Sequence, residues 1–212
     1  RERIARSFMH LLNFDDNLKN PDPYSLLWRK TTEYEWGADF QGRWVEVMSL
    51  LSKYEGKRYP EIDKVAERLM EGQFSDGSFS PKNNYFTQWG NSRGLVGLLE
   101  YYKLSKDERF LAAAKSLGAW YYRNFLDGGR HPKRLLFSHC LSGVLEGFIE
   151  LWKATKDEKY LEVAKSIAEI VIWQSKNLNH RFQSHGLLTG TRGLLDLYFV
   201  NKEKQYLKSV FR

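Results

Sequence analysis

Two short stretches put histidine behind serine at the front of an apolar run: Ser138-His139 before Cys140-Leu141, and Ser184-His185 before Gly186-Leu187, with the histidines 46 residues apart. An imidazole can carry a proton or hydrogen-bond a hydroxyl, whereas a serine at a helix start need do no more than cap it. Recurrence of the pair at an equivalent place favours His139 and His185 lining a shared pocket. Similar entrances occur in "WGADFQGRW", with Trp36, Asp39, Arg43 and Trp44, and in "FTQWGNSRG", with Trp89, Asn91 and Arg93; "HGLLTGTRG" adds Arg192. Flat aromatic faces beside planar hydrogen-bonding groups are the chemistry of a carbohydrate pocket. The competing structural reading puts the tryptophans in a core, Trp44 above all because it sits in an apolar pattern with Met48 and Leu51, and pairs Asp39, Arg43 and Arg93 with one another. Trp89 follows neither pattern and is the better platform.

These entrances must be positioned by something, and an internal repeat supplies it. "GLLEYYKLSKDERFLAAAKSL" from Gly97, "GFIELWKATKDEKYLEVAKSI" from Gly147 and "GLLDLYFVNKEKQYLKSV" from Gly193 are copies of one unit, offset by 50 and 46 residues, and "VEVMSLLSKYEGKRYPEIDKVAERL" from Val45 is a more divergent fourth. Each copy reads as an apolar helix, a polar turn and an amphipathic helix opened by an aromatic-leucine pair such as Phe110-Leu111, Tyr160-Leu161 or Tyr206-Leu207. Ser105 to Asp107 and Thr155 to Asp157 carry the oxygens expected to cap the second helices. The first helix of each pair is apolar on more than one side and the second on one, so inner and outer helices follow. If long loops return each outer helix to the next inner one, all inner-helix starts gather at one end, and the functional residues gather there with them.

Composition bounds the rest. With 212 residues, 42% hydrophobic and 15% aromatic, the chain can build one folded core, and a single α-helical domain over 1–212 is expected. The longest apolar runs, such as Ile167 to Trp173, fall well short of the roughly 20 residues a membrane helix needs. Arg1 opens the chain without a signal-like apolar region, which leaves the cellular address open. One cysteine, Cys140, excludes an internal disulfide and a cysteine-clustered zinc site made within this chain. The net charge of +7 would help a chain approach nucleic acid or anionic sugars, but the lysines mostly alternate with acids at helical spacing and no basic recognition motif occurs. Neither nucleic acid nor membrane is expected as a partner. "SDGSF" at Ser75 to Phe79 and Gly128-Gly129 are turns, and no phosphate-cradling loop, Gly-x-Ser-x-Gly elbow or His-Glu-x-x-His motif is present.

With these residues in place, the chain resembles the six-hairpin (α/α)6 glycoside hydrolases, most closely the bacterial β-L-arabinofuranosidase-like family. The matching stretches are "WGADFQGRWVEVMSLLSKYEG", "EGQFSDGSF", "WGNSRGLVGLLEYYKLSKDERFLAAAKSL", "SHCLSGVLEGFIELWKATKDEKYLEVAKSI" and "HGLLTGTRGLLDLYFVNKEKQYL". Where the family has Gly-His-x-x-Gly-His/Lys, this chain has Ala38-Asp39-Phe40-Gln41-Gly42-Arg43, so Asp39 and Arg43 take the two ligand-facing positions; Ser92-Arg93 likewise stand where the family has His-Lys. The resemblance implies an all-α toroid that cleaves terminal sugars from glycans. It also implies a zinc-held cysteine nucleophile with glutamates, on helices later in the barrel; Cys140 does not match that motif, so catalytic residues stay unassigned and no cofactor is expected within this segment. The toroid is expected to be incomplete here, with the missing part on further chain, on a partner or covered by self-association. A sugar epimerase or unsaturated-uronide hydrolase of the same architecture stays open, favoured by Arg43, Arg93 and Arg192, as does a non-catalytic helical-repeat scaffold.

Overall fold

The computed structural model describes residues 38–79, 87–124, 141, 143–177 and 184–211. Among these residues the regular structure is entirely helical: α1 (Asp39–Glu55), α2 (Glu61–Glu71), α3 (Thr87–Ser105), α4 (Glu108–Tyr122), α5 (Val144–Thr155), α6 (Glu158–Lys176), α7 (Ser184–Asn201) and α8 (Lys204–Val210). They form the four hairpins of the repeat. The odd-numbered helices pack side by side in the order α1, α3, α5, α7 as an inner layer, and α2, α4, α6 and α8 cover them from outside. The architecture is an arc of an (α/α) toroid.

The turn inside each hairpin is the most regular feature. Gly56, Lys106, Lys156 and Lys202 all adopt positive φ, at intervals of 50, 50 and 46 residues, and each amide closes the preceding helix on a carbonyl four residues back. At the residue after each lysine of the second and third hairpins, the next helix is capped as the sequence suggests: Asp107 Oδ1 accepts from the Arg109 amide at 2.9 Å and Asp157 Oδ1 from the Lys159 amide at 3.2 Å. Ser105 Oγ and Thr155 Oγ1 accept from the Asp107 and Asp157 amides, which locks the reversal. The aromatic of each aromatic-leucine pair then enters the core, with Phe110, Tyr160 and Tyr206 all at most 4% exposed.

A lysine in the left-handed region costs about 1–2 kcal/mol, more than the entropy a glycine would lose there. Lys106→Gly is therefore expected to stabilise the protein by roughly 0.5–1 kcal/mol. Lys156→Gly should gain less, because the Lys156 ammonium lies 4.7 Å from the Trp152 ring centre and that contact would go. Urea unfolding of the two variants checks this, and a lower midpoint for Lys106→Gly would refute it.

The glycines that open the repeat copies sit where inner helices touch. A β-carbon on Gly97 would lie 2.8 Å from the Gly42 backbone, one on Gly147 2.7 Å from Leu95, and one on Gly193 2.7 Å from Leu145. The "SDGSF" turn is real and packed: Gly77 has φ +96° and lies against the Ser116 carbonyl, while Asp76 Oδ1 accepts from the Ser78 amide at 2.9 Å. It delivers Phe79 into the core, fully buried.

Candidate functional site

Counting back along the sequence from the four hairpin-turn residues of positive φ gives a common register. Asp39, Trp89, His139 and His185 each stand 17 residues before their turn residue, and Arg43, Arg93 and Thr189 stand 13 before theirs. Glu46, Glu146 and Arg192 follow, then Glu100, Glu150 and Asp196, then Lys53, Lys103 and Lys153. The steps of four, three, four and three residues keep those on the described helices along one face of each.

At the top layer the helix starts converge. The Trp89 and His185 rings meet edge to face at 4.9 Å between centres, and the Arg43 guanidinium lies 5.4 Å from the Trp89 ring centre. Arg43 Nε donates to Asp39 Oδ1 at 2.8 Å, and Trp89 also hydrogen-bonds that carboxylate. Burial pushes the Asp39 carboxyl above the ordinary aspartate range, and Arg43 pulls against it without winning. His185 is lowered from the usual histidine range, first by burial and then by the fields of Arg43 and Arg93, so near neutral pH it is an uncharged imidazole.

Below lies a buried ion network. Arg93, 7% exposed, reaches Glu46 of α1 at 3.4 Å, the Gly143 carbonyl at 3.3 Å and Glu146 of α5 at 4.0 Å. Arg192 of α7 pairs with the other Glu146 oxygen at 2.7 Å. Glu146 is 5% exposed and, among the described residues, its Oε2 accepts no hydrogen bond; burial raises its carboxyl above the usual glutamate range. A second network ties the lower turns: Lys53 to Glu100 at 2.8 Å, Lys103 to both Glu100 and Glu150 at 2.6 Å, and Lys153 to Glu150 at 2.7 Å. Burial opposes ionisation of Glu100 and Glu150, yet the lysine hydrogen bonds prevail and hold both below the usual range.

A cavity of about 420 Å³ opens among these layers, walled by Arg43, Glu46 and Val47 of α1, Arg93 of α3, and His185, Leu188, Thr189 and Arg192 of α7. Of the sequence candidates, Arg43, Arg93, His185 and Arg192 line it, and Trp89 stands behind His185 and Arg43. Asp39 does not line it, being 6% exposed behind Arg43, and acts by orienting that guanidinium. Asn91 does not line it: it is wholly buried, and its Oδ1 accepts from the Phe79 amide at 2.9 Å, which pins the "SDGSF" turn to α3. His139 lies outside the described residues, as do Trp36 and Cys140.

The sequence reading passed over Glu46, Glu146 and the lower lysine-glutamate network. Their signal was present in the 50-residue recurrence of Glu100 with Glu150 and of Lys53, Lys103 and Lys153. Zinc, implied by the family resemblance, finds no group of three His, Cys, Asp or Glu side chains among the described residues able to hold it. None of the helices among those residues is long and apolar enough to cross a membrane.

The structure is similar to that of a GH76 alpha-mannanase from Bacteroides thetaiotaomicron, solved as a selenomethionine derivative, with a TM-score of 0.58 at 14% identity over 81% of this chain. At that identity the likeness concerns the fold. The chain spans 55% of the length of that protein. No curated protein matches it significantly. The family model for the beta-L-arabinofuranosidase GH127 catalytic domain matches residues 15–210, which takes in every described helix and every wall of the cavity. All four hairpins of the arc fall inside the matched residues, and this chain is a member of the GH127 beta-L-arabinofuranosidase catalytic-domain family.

Proposed function

We propose that this segment is the sugar-binding part of a glycoside hydrolase of the β-L-arabinofuranosidase type, which removes terminal sugars from glycans. One observation carries the reading: the cavity forms where inner-helix starts gather an aromatic-imidazole pair and guanidinium donors, beside apolar Val47 and Leu188. Sugar hydroxyls need planar donors and acceptors, and the ring's C–H face needs a surface to lie on. Neutral His185 can both donate to and accept from hydroxyls, which an imidazolium cannot. A helical-repeat scaffold would favour a broad, continuous groove over a pocket of this size.

The test is binding and hydrolysis of arabinofuranosides and other terminal glycosides by the native gene product and its Trp89→Ala and His185→Ala variants. Each substitution is expected to weaken sugar binding roughly tenfold or more, since each removes a wall or support of the site. Undiminished affinity in both variants would take these residues out of the pocket.

A further inference from the structure

The cavity's charges are not distributed evenly. Its acids sit at the back: Asp39, Glu46 and Glu146 are each under 9% exposed, and each is already paired with an arginine. Arg93 is consumed by these pairings and is itself 7% exposed. Two arginines remain at the front, with 34% of the Arg43 side chain and 60% of the Arg192 side chain exposed. Arg43 spends its Nε–H on Asp39 and its face on Trp89, and its two terminal amino groups make no hydrogen bond among the described residues. Arg192 spends one terminal amino group on Glu146. Each therefore keeps a planar pair of N–H donors, the geometry that matches a carboxylate.

We infer that the cavity takes a sugar bearing a carboxylate, with the acid group seated between the Arg43 and Arg192 guanidiniums and the ring lying toward Val47 and Leu188. The inference rests on the sugar-binding reading above and names the class of sugar. Three arginines balanced by three buried acids leave little net charge, which suits a monoanion better than a phosphate dianion. His185 on the same wall is lowered first by burial and then by the fields of Arg43 and Arg93, against Asp39.

The experiment compares galacturonate and glucuronate with galactose, glucose and arabinose by calorimetric titration of the native gene product, alongside Arg43→Gln, Arg192→Gln and Trp89→Ala. The uronates are expected to bind at least about tenfold more tightly than their neutral counterparts. That advantage should shrink at high salt and vanish in the double arginine variant. A second readout needs no variant: NMR titration of His185 in the wild-type protein should show its pKa rising when galacturonate binds and staying put with galactose. Equal affinity for charged and neutral sugars, unchanged by the arginine substitutions, overturns the carboxylate inference and leaves the sugar pocket standing. If no sugar of either kind binds, the pocket reading and the inference fall together.

Discussion

Arg93→Met is expected to destabilise the protein by about 3–5 kcal/mol, a fall in Tm on the order of 10 °C, because it strands one buried carboxylate and leaves a second with one arginine in place of two. Methionine refills most of the volume, so the loss is electrostatic and not a cavity effect. Glu46 is 8% exposed and loses its one ion pair among the described residues, while Glu146 keeps only Arg192. The pH dependence identifies the cause. A carboxyl whose folded pKa is raised binds its proton more tightly folded than unfolded, so stability falls as pH rises from the unfolded value through the folded one. Glu146 is already raised in the wild type by burial, and removing Arg93 raises it further. The deficit should accordingly be greatest at pH 7 and shrink toward pH 5. Arg93→Lys, which restores a charge without the fork that reaches both acids, should recover part of the loss. Thermal unfolding of the three proteins at both pH values decides it; a deficit independent of pH would mean that Arg93 acts through packing alone.

What could be read from the sequence and what could not divide along physical lines. Hairpins, caps and inner versus outer helices depend on local chemistry and on spacing, both visible in a linear string; Asp107 and Asp157 cap as their types suggest. The end of the toroid at which Arg43, Trp89 and His185 meet was also legible, because every inner helix starts with the same kind of entrance. Side-chain direction was not. Asn91 and Arg93 are two residues apart on one helix, yet Asn91 turns to the Phe79 amide while Arg93 turns to the cavity. The acids Glu46 and Glu146 were hidden for another reason. Each lies in an otherwise apolar run, and only the arrival of Arg93 and Arg192 from other helices makes its burial tolerable. The lysine-glutamate repeats looked like a solvated face, as such patterns usually are, but Glu100 and Glu150 point inward and join neighbouring inner helices through Lys53 and Lys103.

The close approach of α1 and α3 makes a second large effect expected, at Gly42. Gly42→Ala should destabilise the protein by at least about 2 kcal/mol, although alanine is intrinsically the better helix former by about 1 kcal/mol. The added β-carbon would lie 2.2 Å from the Arg93 carbonyl oxygen and 2.8 Å from the Gly94 nitrogen, so a backbone, not a flexible side chain, must yield. A β-carbon on the opposing Gly97 would in turn lie 2.8 Å from Gly42, which leaves no slack to absorb the shift. Relieving the clash requires the helices to part by roughly 1 Å. Asp39 and Arg43, one turn or less away on α1, would move with it, off the Trp89 ring and away from the α3 wall of the cavity. A loss of site geometry should therefore accompany the loss of stability, seen as weaker sugar binding even well below the new melting temperature. Gly56→Ala is the control: Gly56 has φ +66°, but a β-carbon there would meet nothing within 4 Å, so only the left-handed strain of about 1 kcal/mol is expected, with binding intact. If Gly42→Ala proved no worse than Gly56→Ala, the α1–α3 contact would not be the clamp that holds the two halves of the site together.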